Sequence, residues 1–332
     1  MPQNLKTPDE LAASLISRGV TSSTGLNSQE LHQEIARRLR HVNYHRIYPY
    51  LTLFLHTKEV NGQIVFLNTF HSETYWEDIW KLYMFDRKLR GALMDAISRI
   101  EVALRAQIVE CWGAYSGDAY PHLNLRTYRA SFLRKKNPND DSSSEWKHFC
   151  AAVEKYFKRN KAAHCEVHVE LRKAQTLADL PVWALVEFTT LGNLETLLCY
   201  GLKKNLVLRI AQNMGFKRAD TFTSAISLLT RVRNACAHQS RVWNRYWLTG
   251  QSSPILRNVD KEFAAVSRLD RIGAAMTICQ QLLLTIAPQS EWKDRLVELL
   301  HSELSPTTHI HKILGFLTPE WHRSPIWVAP QG

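Results

Sequence analysis

From Tyr75 to Trp112 the side chains of Ile79, Leu82, Leu89, Leu93, Ile97, Ile100, Leu104, Ile108 and Cys111 recur three and four residues apart. An apolar stripe of that period needs a helix, and a helix that long needs other helices to cover it. Gly91 is the weak point of the run. Strand signals are scarce elsewhere, and 13 Gly and 12 Pro in 332 residues leave few breaks. The chain therefore reads as all-α. One short alternating stretch, Gly62 to Phe70, has the pattern of a strand or an extended loop. Within the long helix Asp86 with Arg90, and Glu101 with Arg105, stand one turn apart and read as ion pairs on the helix surface.

Other helices announce themselves by their ends. Thr7, Pro8 and Glu10 form a start signal for a helix that stops near Gly19, and Asn27 or Ser28 begins a second. This second helix carries Arg37, Arg38, Arg40, Tyr44, Arg46 and Tyr48. Residues 134–145, rich in turn formers, make an exposed loop. Helical patterning resumes from Trp146 to Lys173, starts again at Leu180-Pro181-Val182-Trp183, breaks near Gly192, and runs from about Asn205 to Met214 before Gly215. Thr221 or Thr223 opens the next helix. Amphipathic segments at Asp270–Ile286 and Glu291–Glu303 and a Trp-containing tail complete the chain, without an internal repeat.

Lys and Arg outnumber Asp and Glu by 42 to 31, a formal charge of +11, which favours a polyanionic partner. The six cysteines include no CxxC pair, so zinc ribbons and thioredoxin-type motifs are excluded. Cys236 and the others read as small core residues of a protein in a reducing compartment. No signal-type apolar region opens the chain and no run is long enough to span a bilayer, so a cytoplasmic protein without a membrane partner is expected.

The segment Phe222 to Trp247 contains neither Gly nor Pro and is read as one helix. Counting about 100° per residue from Asn234, His238 falls near about 40°, Arg241 near about −20° and Arg245 near about 20°, while Arg233 flanks them at about −100°. Leu229, Val232, Cys236, Trp243 and Trp247 lie opposite. A face of Asn, His and Arg above an apolar stripe suits RNA cleavage by the ribose 2′-hydroxyl. Imidazole can move the proton, and guanidinium can hold the phosphate and its added charge, without a metal.

Two further clusters compete. Arg159, Asn160 and His164 repeat the spacing of Arg233, Asn234 and His238, but on a helix that is basic nearly all round and reads as a solvated face. His164 and His168 stand one turn apart and could share a metal, although the order HCEVH lacks an identifiable third ligand. His309 and His311 read as surface residues.

The run Arg233-Asn234-Ala235-Cys236-Ala237-His238, followed by Arg241, Trp243, Asn244 and Arg245, resembles the signature of abortive-infection AbiD/AbiF-type proteins of the HEPN superfamily. Leu15 to Gly19, Tyr44 to Tyr50, Leu82 to Arg90, Ile100-Glu101 with Arg105, and Leu180 to Trp183 followed by Leu191-Gly192 resemble that family's landmarks in the same order. The likeness runs from about residue 7 to 248. It implies a HEPN-type helical bundle with extra helices at both ends, divided as an N-terminal segment 1–26, an Abi-like domain 27–248 and a C-terminal extension 249–332. It further implies a homodimer in which paired motifs form a metal-independent endoribonuclease of phage defence, with no cofactor. Arg233 and His238 would be catalytic, Asn234 auxiliary, and Arg241 and Arg245 would contact RNA. What would restrain it before infection, an antitoxin, a small non-coding RNA or a conformational lock, is not written in the sequence. A non-catalytic RNA-binding or regulatory HEPN module is the alternative.

Overall fold

The computed structural model describes residues 5–137, 140, 142–165, 169–247, 268, 270–302 and 310–328. Helix α1 (Pro8–Ser17) starts at Thr7, whose hydroxyl accepts the Glu10 N–H at 3.2 Å while the Glu10 carboxylate accepts the Thr7 N–H at 2.6 Å. It closes at Gly19, which adopts φ +111° and returns its N–H to Ile16. Helix α2 (Ser28–His41) repeats the device with Asn27 and Glu30. The expected single basic and aromatic helix divides here. The Asn43 side chain accepts the His45 N–H at 2.9 Å and starts a separate helix, α3 (Tyr44–Leu51).

Strands β1 (Leu55–Val60) and β2 (Gln63–Phe70) form an antiparallel hairpin. Asn61 and Gly62 turn it with φ of +52° and +74°, the two positive values of a type I′ turn. The alternating stretch at Gly62 is thus a strand. Its partner β1 went unrecognised because Leu55-His-Thr-Lys-Glu-Val carries little apolar alternation.

Helix α4 (Trp76–Ser116) continues for 41 residues through Gly91. After α5 (Ala130–Leu133), the described part of the 134–145 loop is irregular, with Ser143 and Ser144 buried rather than exposed. Helix α6 (Glu145–Cys165) ends short of the expected Lys173, and residues 169–173 form a tighter 3₁₀ turn. Helices α7 (Val182–Leu185) and α8 (Leu191–Thr196) are separated at Thr189, before Gly192 rather than at it. Then come α9 (Lys204–Asn213), α10 (Ala219–Ala237), α11 (Ile272–Ile286), α12 (Trp292–Ser302) and α13 (Ile310–Leu314). Among the described residues the hairpin is the one sheet, and the fold is all-α as expected.

The chain forms two compact units. Unit 1 comprises 1–91, 235–243 and 299–305, and its interior includes Leu15, Ile35, Ile47, Phe85, Val242 and Trp243. Unit 2 comprises 92–234, 244–298 and 306–332. Its helix α11 is buried from Ile272 to Gln280 on every side, as a central helix of a bundle must be. Trp292 Nε1 donates to the Ala92 carbonyl at 2.7 Å, and Phe316, Trp321 and Trp327 pack as a ring cluster in the same unit.

Candidate active site

Helix α10 stops after Ala237, although neither Gly nor Pro follows. Gln239 takes φ +56°, and the N–H groups of Gln239 and Ser240 return to the carbonyls of Cys236 and Ala235 at 3.0 and 2.8 Å. This is a Schellman closure, ordinarily made with Gly. The expectation of one helix from Phe222 to Trp247 is therefore corrected. It begins earlier, at Ala219, and Arg241 and Arg245 lie beyond its end, so they share no helical face with Asn234 and His238. Nothing in the local sequence signals the stop except what holds the chain after it.

In unit 1 two groups hold that stretch. Arg46 Nη1, from α3, donates to the carbonyls of His238 and Gln239 at 3.4 and 2.8 Å. Asp86, on α4, accepts the N–H groups of Val242 and Trp243 at 3.1 and 2.9 Å, the Tyr50 hydroxyl at 2.5 Å, and the Arg90 guanidinium. Side chains Asp86 and Arg90 are 0% and 5% exposed, so the expected surface ion pair is a buried one. Burial pushes the Asp86 carboxyl above the usual range, against the pull of Tyr50, the two amides and Arg90. Burial, with the Asp86 charge, likewise raises the Tyr50 phenol. The neighbouring Cys236 thiol is buried and pushed up to about 12. Arg241 Nη1 donates to the Pro49 carbonyl at 2.8 Å, so it braces the loop against α3.

His238 is exposed, and among the described residues its imidazole has no hydrogen-bond or ion-pair partner. Its backbone is fixed while its ring is open to a ligand.

Arg233 and Asn234 belong to unit 2 and come together there, with Arg233 Nη1 donating to Asn234 Oδ1 at 3.3 Å. Arg233 Nε also stands 3.9 Å from Glu101 Oε2. The other Glu101 oxygen accepts from Arg105 at 2.7 Å, and Arg105 is itself anchored on the carbonyls of Val186 and Thr189 at 3.1 and 3.0 Å. Glu101 and Arg105 are largely covered rather than freely solvated, and Glu101 places a fixed counter-charge beside Arg233, whose side chain stays 33% exposed. Arg245 lies 4.7 Å over the Trp247 ring. Asn244, at φ +44°, accepts from Arg271 at 3.2 Å.

The competing clusters fare differently. The Asn160 amide turns back to donate to the Tyr156 carbonyl at 2.8 Å on its own helix. The side chain of His164 and the whole of His168 lie outside the described residues, as do His309 and the side chain of His311. Among the described residues no three His, Cys, Asp or Glu side chains are grouped to hold a metal ion.

Residues 37–244 match the family model described as Abi-like protein. The chain belongs to the Abi-like protein family. No curated protein and no solved structure matches it. The matched span of this Abi-like protein opens in α2 and closes at Asn244, so it takes in Arg46, Asp86, Glu101, Arg233, Asn234, His238 and Arg241 and stops one residue before Arg245. No described helix is long and apolar enough to cross a membrane.

Sequence reasoning named Asp86, Tyr50, Arg46 and Glu101 as landmarks or surface pairs and gave none of them a part in the site. For Asp86 the signal was present. The stripe of α4 steps from Leu82 through Phe85 to Leu89, and Asp86, four residues after Leu82 and three before Leu89, is a carboxylate on that same apolar face. Arg46 carried no comparable mark, because its partners are backbone carbonyls far along the chain.

Proposed function

We propose that this Abi-like protein is a metal-independent endoribonuclease of abortive infection, acting in the cytoplasm as a homodimer whose paired motifs each supply Arg233 and His238. One observation carries the reading: an exposed His238 imidazole, without a partner among the described residues, stands on backbone fixed by Arg46 and the Schellman closure. A group that must exchange protons with a substrate is useful only if its ring is unengaged and its position is set beforehand.

In the proposed reaction the ribose 2′-oxygen attacks the adjacent phosphorus. The 2′-hydroxyl proton leaves to a base, the O2′–P bond forms, and the P–O5′ bond breaks as its oxygen is protonated. The products are a 2′,3′-cyclic phosphate and a 5′-hydroxyl. His238 serves one proton transfer, the partner subunit's His238 serves the other, and Arg233 offsets the charge on the phosphorane oxygens. Glu101 orients Arg233 in the free protein, and Asn234 hydrogen-bonds to it. Arg241 and Arg245 contact the RNA backbone beyond the cut. A small non-coding RNA or an antitoxin protein restrains the enzyme before infection.

The +11 charge also favours a module that binds RNA without cutting it. Incubating the purified protein with total RNA and determining the fragment ends separates the two. Cyclic phosphate ends that vanish with His238→Ala support the nuclease, whereas RNA retention without new ends supports the binding module.

A further inference from the structure

Strand β2 presents an edge that a second copy of the chain can complete. The residues flanking a two-residue turn exchange both of their backbone hydrogen bonds, so Gln63 and Val65 bond inward to β1 and Ile64 and Phe66 turn their N–H and C=O groups outward. Among the described residues no hydrogen bond from outside the hairpin reaches either of them. Farther along the same edge Arg18 closes the row, its Nε donating to the Asn68 carbonyl at 2.9 Å and its carbonyl accepting the Phe70 N–H at 3.2 Å. The Asn61–Gly62 turn closes the other end. The side chains of Ile64 and Phe66 are 72% and 49% exposed.

The two strands differ in how they are protected. β1 carries Lys58 and Glu59, the kind of charges that keep an edge from pairing, whereas Gln63 to Phe70 carries no charge and no Pro. A chain with a formal charge of +11 repels its own copy, so two copies meet most favourably on an uncharged surface. Ile64 and Phe66 are also spaced for self-pairing. In an antiparallel arrangement about a two-fold axis at Val65, Ile64 of one copy faces Phe66 of the other and each pair exchanges both hydrogen bonds.

We propose that β2 is a self-association edge, joining two copies of the protein antiparallel with Val65 on the two-fold axis. With only Ile64 and Phe66 of each copy exchanging hydrogen bonds, the contact is small beside the roughly 1,200 Å² at the low end of stable interfaces, and a weak, concentration-dependent association is expected. It does not depend on the nuclease reading.

Val65 would stand opposite its own copy as a non-hydrogen-bonded pair, with Cβ atoms about 4.5–5.5 Å apart, close enough for a disulfide after a slight adjustment. The full-length Val65→Cys variant is oxidised at high micromolar concentration, and linked peptides are identified by mass spectrometry. The expected result is the substituted peptide joined to itself, a link at least tenfold weaker when Phe66→Lys is added, and no such link in Lys58→Cys. Equal linkage in both cysteine variants, or none in Val65→Cys, overturns the proposal. Independently, sedimentation of Phe66→Lys with unchanged circular dichroism is expected to show a lower average mass than the unsubstituted protein, and an unchanged mass overturns it.

Discussion

The Asp86 carboxylate accepts the backbone N–H of Trp243 at 2.9 Å, joining the buried face of α4 to the chain that follows α10. With Val242, Tyr50 and Arg90 bound to the same carboxylate, the loop after His238 is held by a charged group that water does not reach.

Asp86→Asn keeps the shape but leaves Arg90 as a buried charge without a counter-ion, a loss expected to cost about 3–5 kcal/mol. Urea denaturation should show the midpoint falling accordingly. The double variant Asp86→Asn with Arg90→Met should recover part of the loss, since the stranded charge is gone.

Arg46→Met removes two hydrogen bonds to exposed carbonyls, so its stability effect should be no more than about 1 kcal/mol. RNA cleavage should fall far more steeply than that, through kcat, because the backbone under His238 is no longer held. Arg46→Lys, which keeps the charge and a single nitrogen able to donate to both carbonyls, should regain part of the rate. Wild-type kinetics in Arg46→Met would show that the bracing has no catalytic consequence.

His238→Ala and Arg233→Ala each change a partly or fully exposed side chain, so thermal midpoints should move by no more than about 0.5 kcal/mol in stability. Cleavage of RNA should drop by about 10²–10⁴-fold in each, the usual scale for losing an acid–base group or a charge stabiliser. Under the proposed reaction, chelator should leave RNA cleavage by the unsubstituted protein unaffected.

Gln239 holds a left-handed conformation that favours Gly. Gln239→Gly should therefore stabilise the protein by about 0.5–1 kcal/mol, read from the denaturation midpoint.

The Cys236 thiol, raised to about 12 by burial, stays neutral at physiological pH. Iodoacetamide at that pH should label the Cys236 peptide only after unfolding, as mass spectrometry of the digested protein would show.

The parts of the fold legible in the sequence were those set by nearest neighbours along the chain. Thr7 with Glu10 marks the first helix start as the structure has it, the second start falls at the expected Asn27–Ser28 pair, and the stripe read from Tyr75 to Trp112 covers all but the last turn of α4. The stop after Ala237 was not. It depends on Gln239 accepting a conformation normally left to Gly, stabilised by Arg46 and Asp86 from distant positions. The same distance hid the burial of the Asp86–Arg90 pair, since spacing on one helix says which residues can meet but not what covers them. Arg233, Asn234 and His238 were found because they are close in sequence, and Glu101, which faces Arg233, was named only for its pair with Arg105.

The end of α10 at Ala237 also determines what a phosphate would encounter on approaching His238. The last carbonyls of a helix carry the negative pole of its macrodipole, the reverse of the amide cradle that many nucleotide sites use. A backbone approaching there would meet an unfavourable main-chain dipole and would need side-chain cations to hold it, with Arg46 already partly masking that pole. Binding built on side-chain cations displaces condensed counterions, so the affinity for RNA should weaken steeply as ionic strength rises, and a plot of log affinity against log salt would count the contacts.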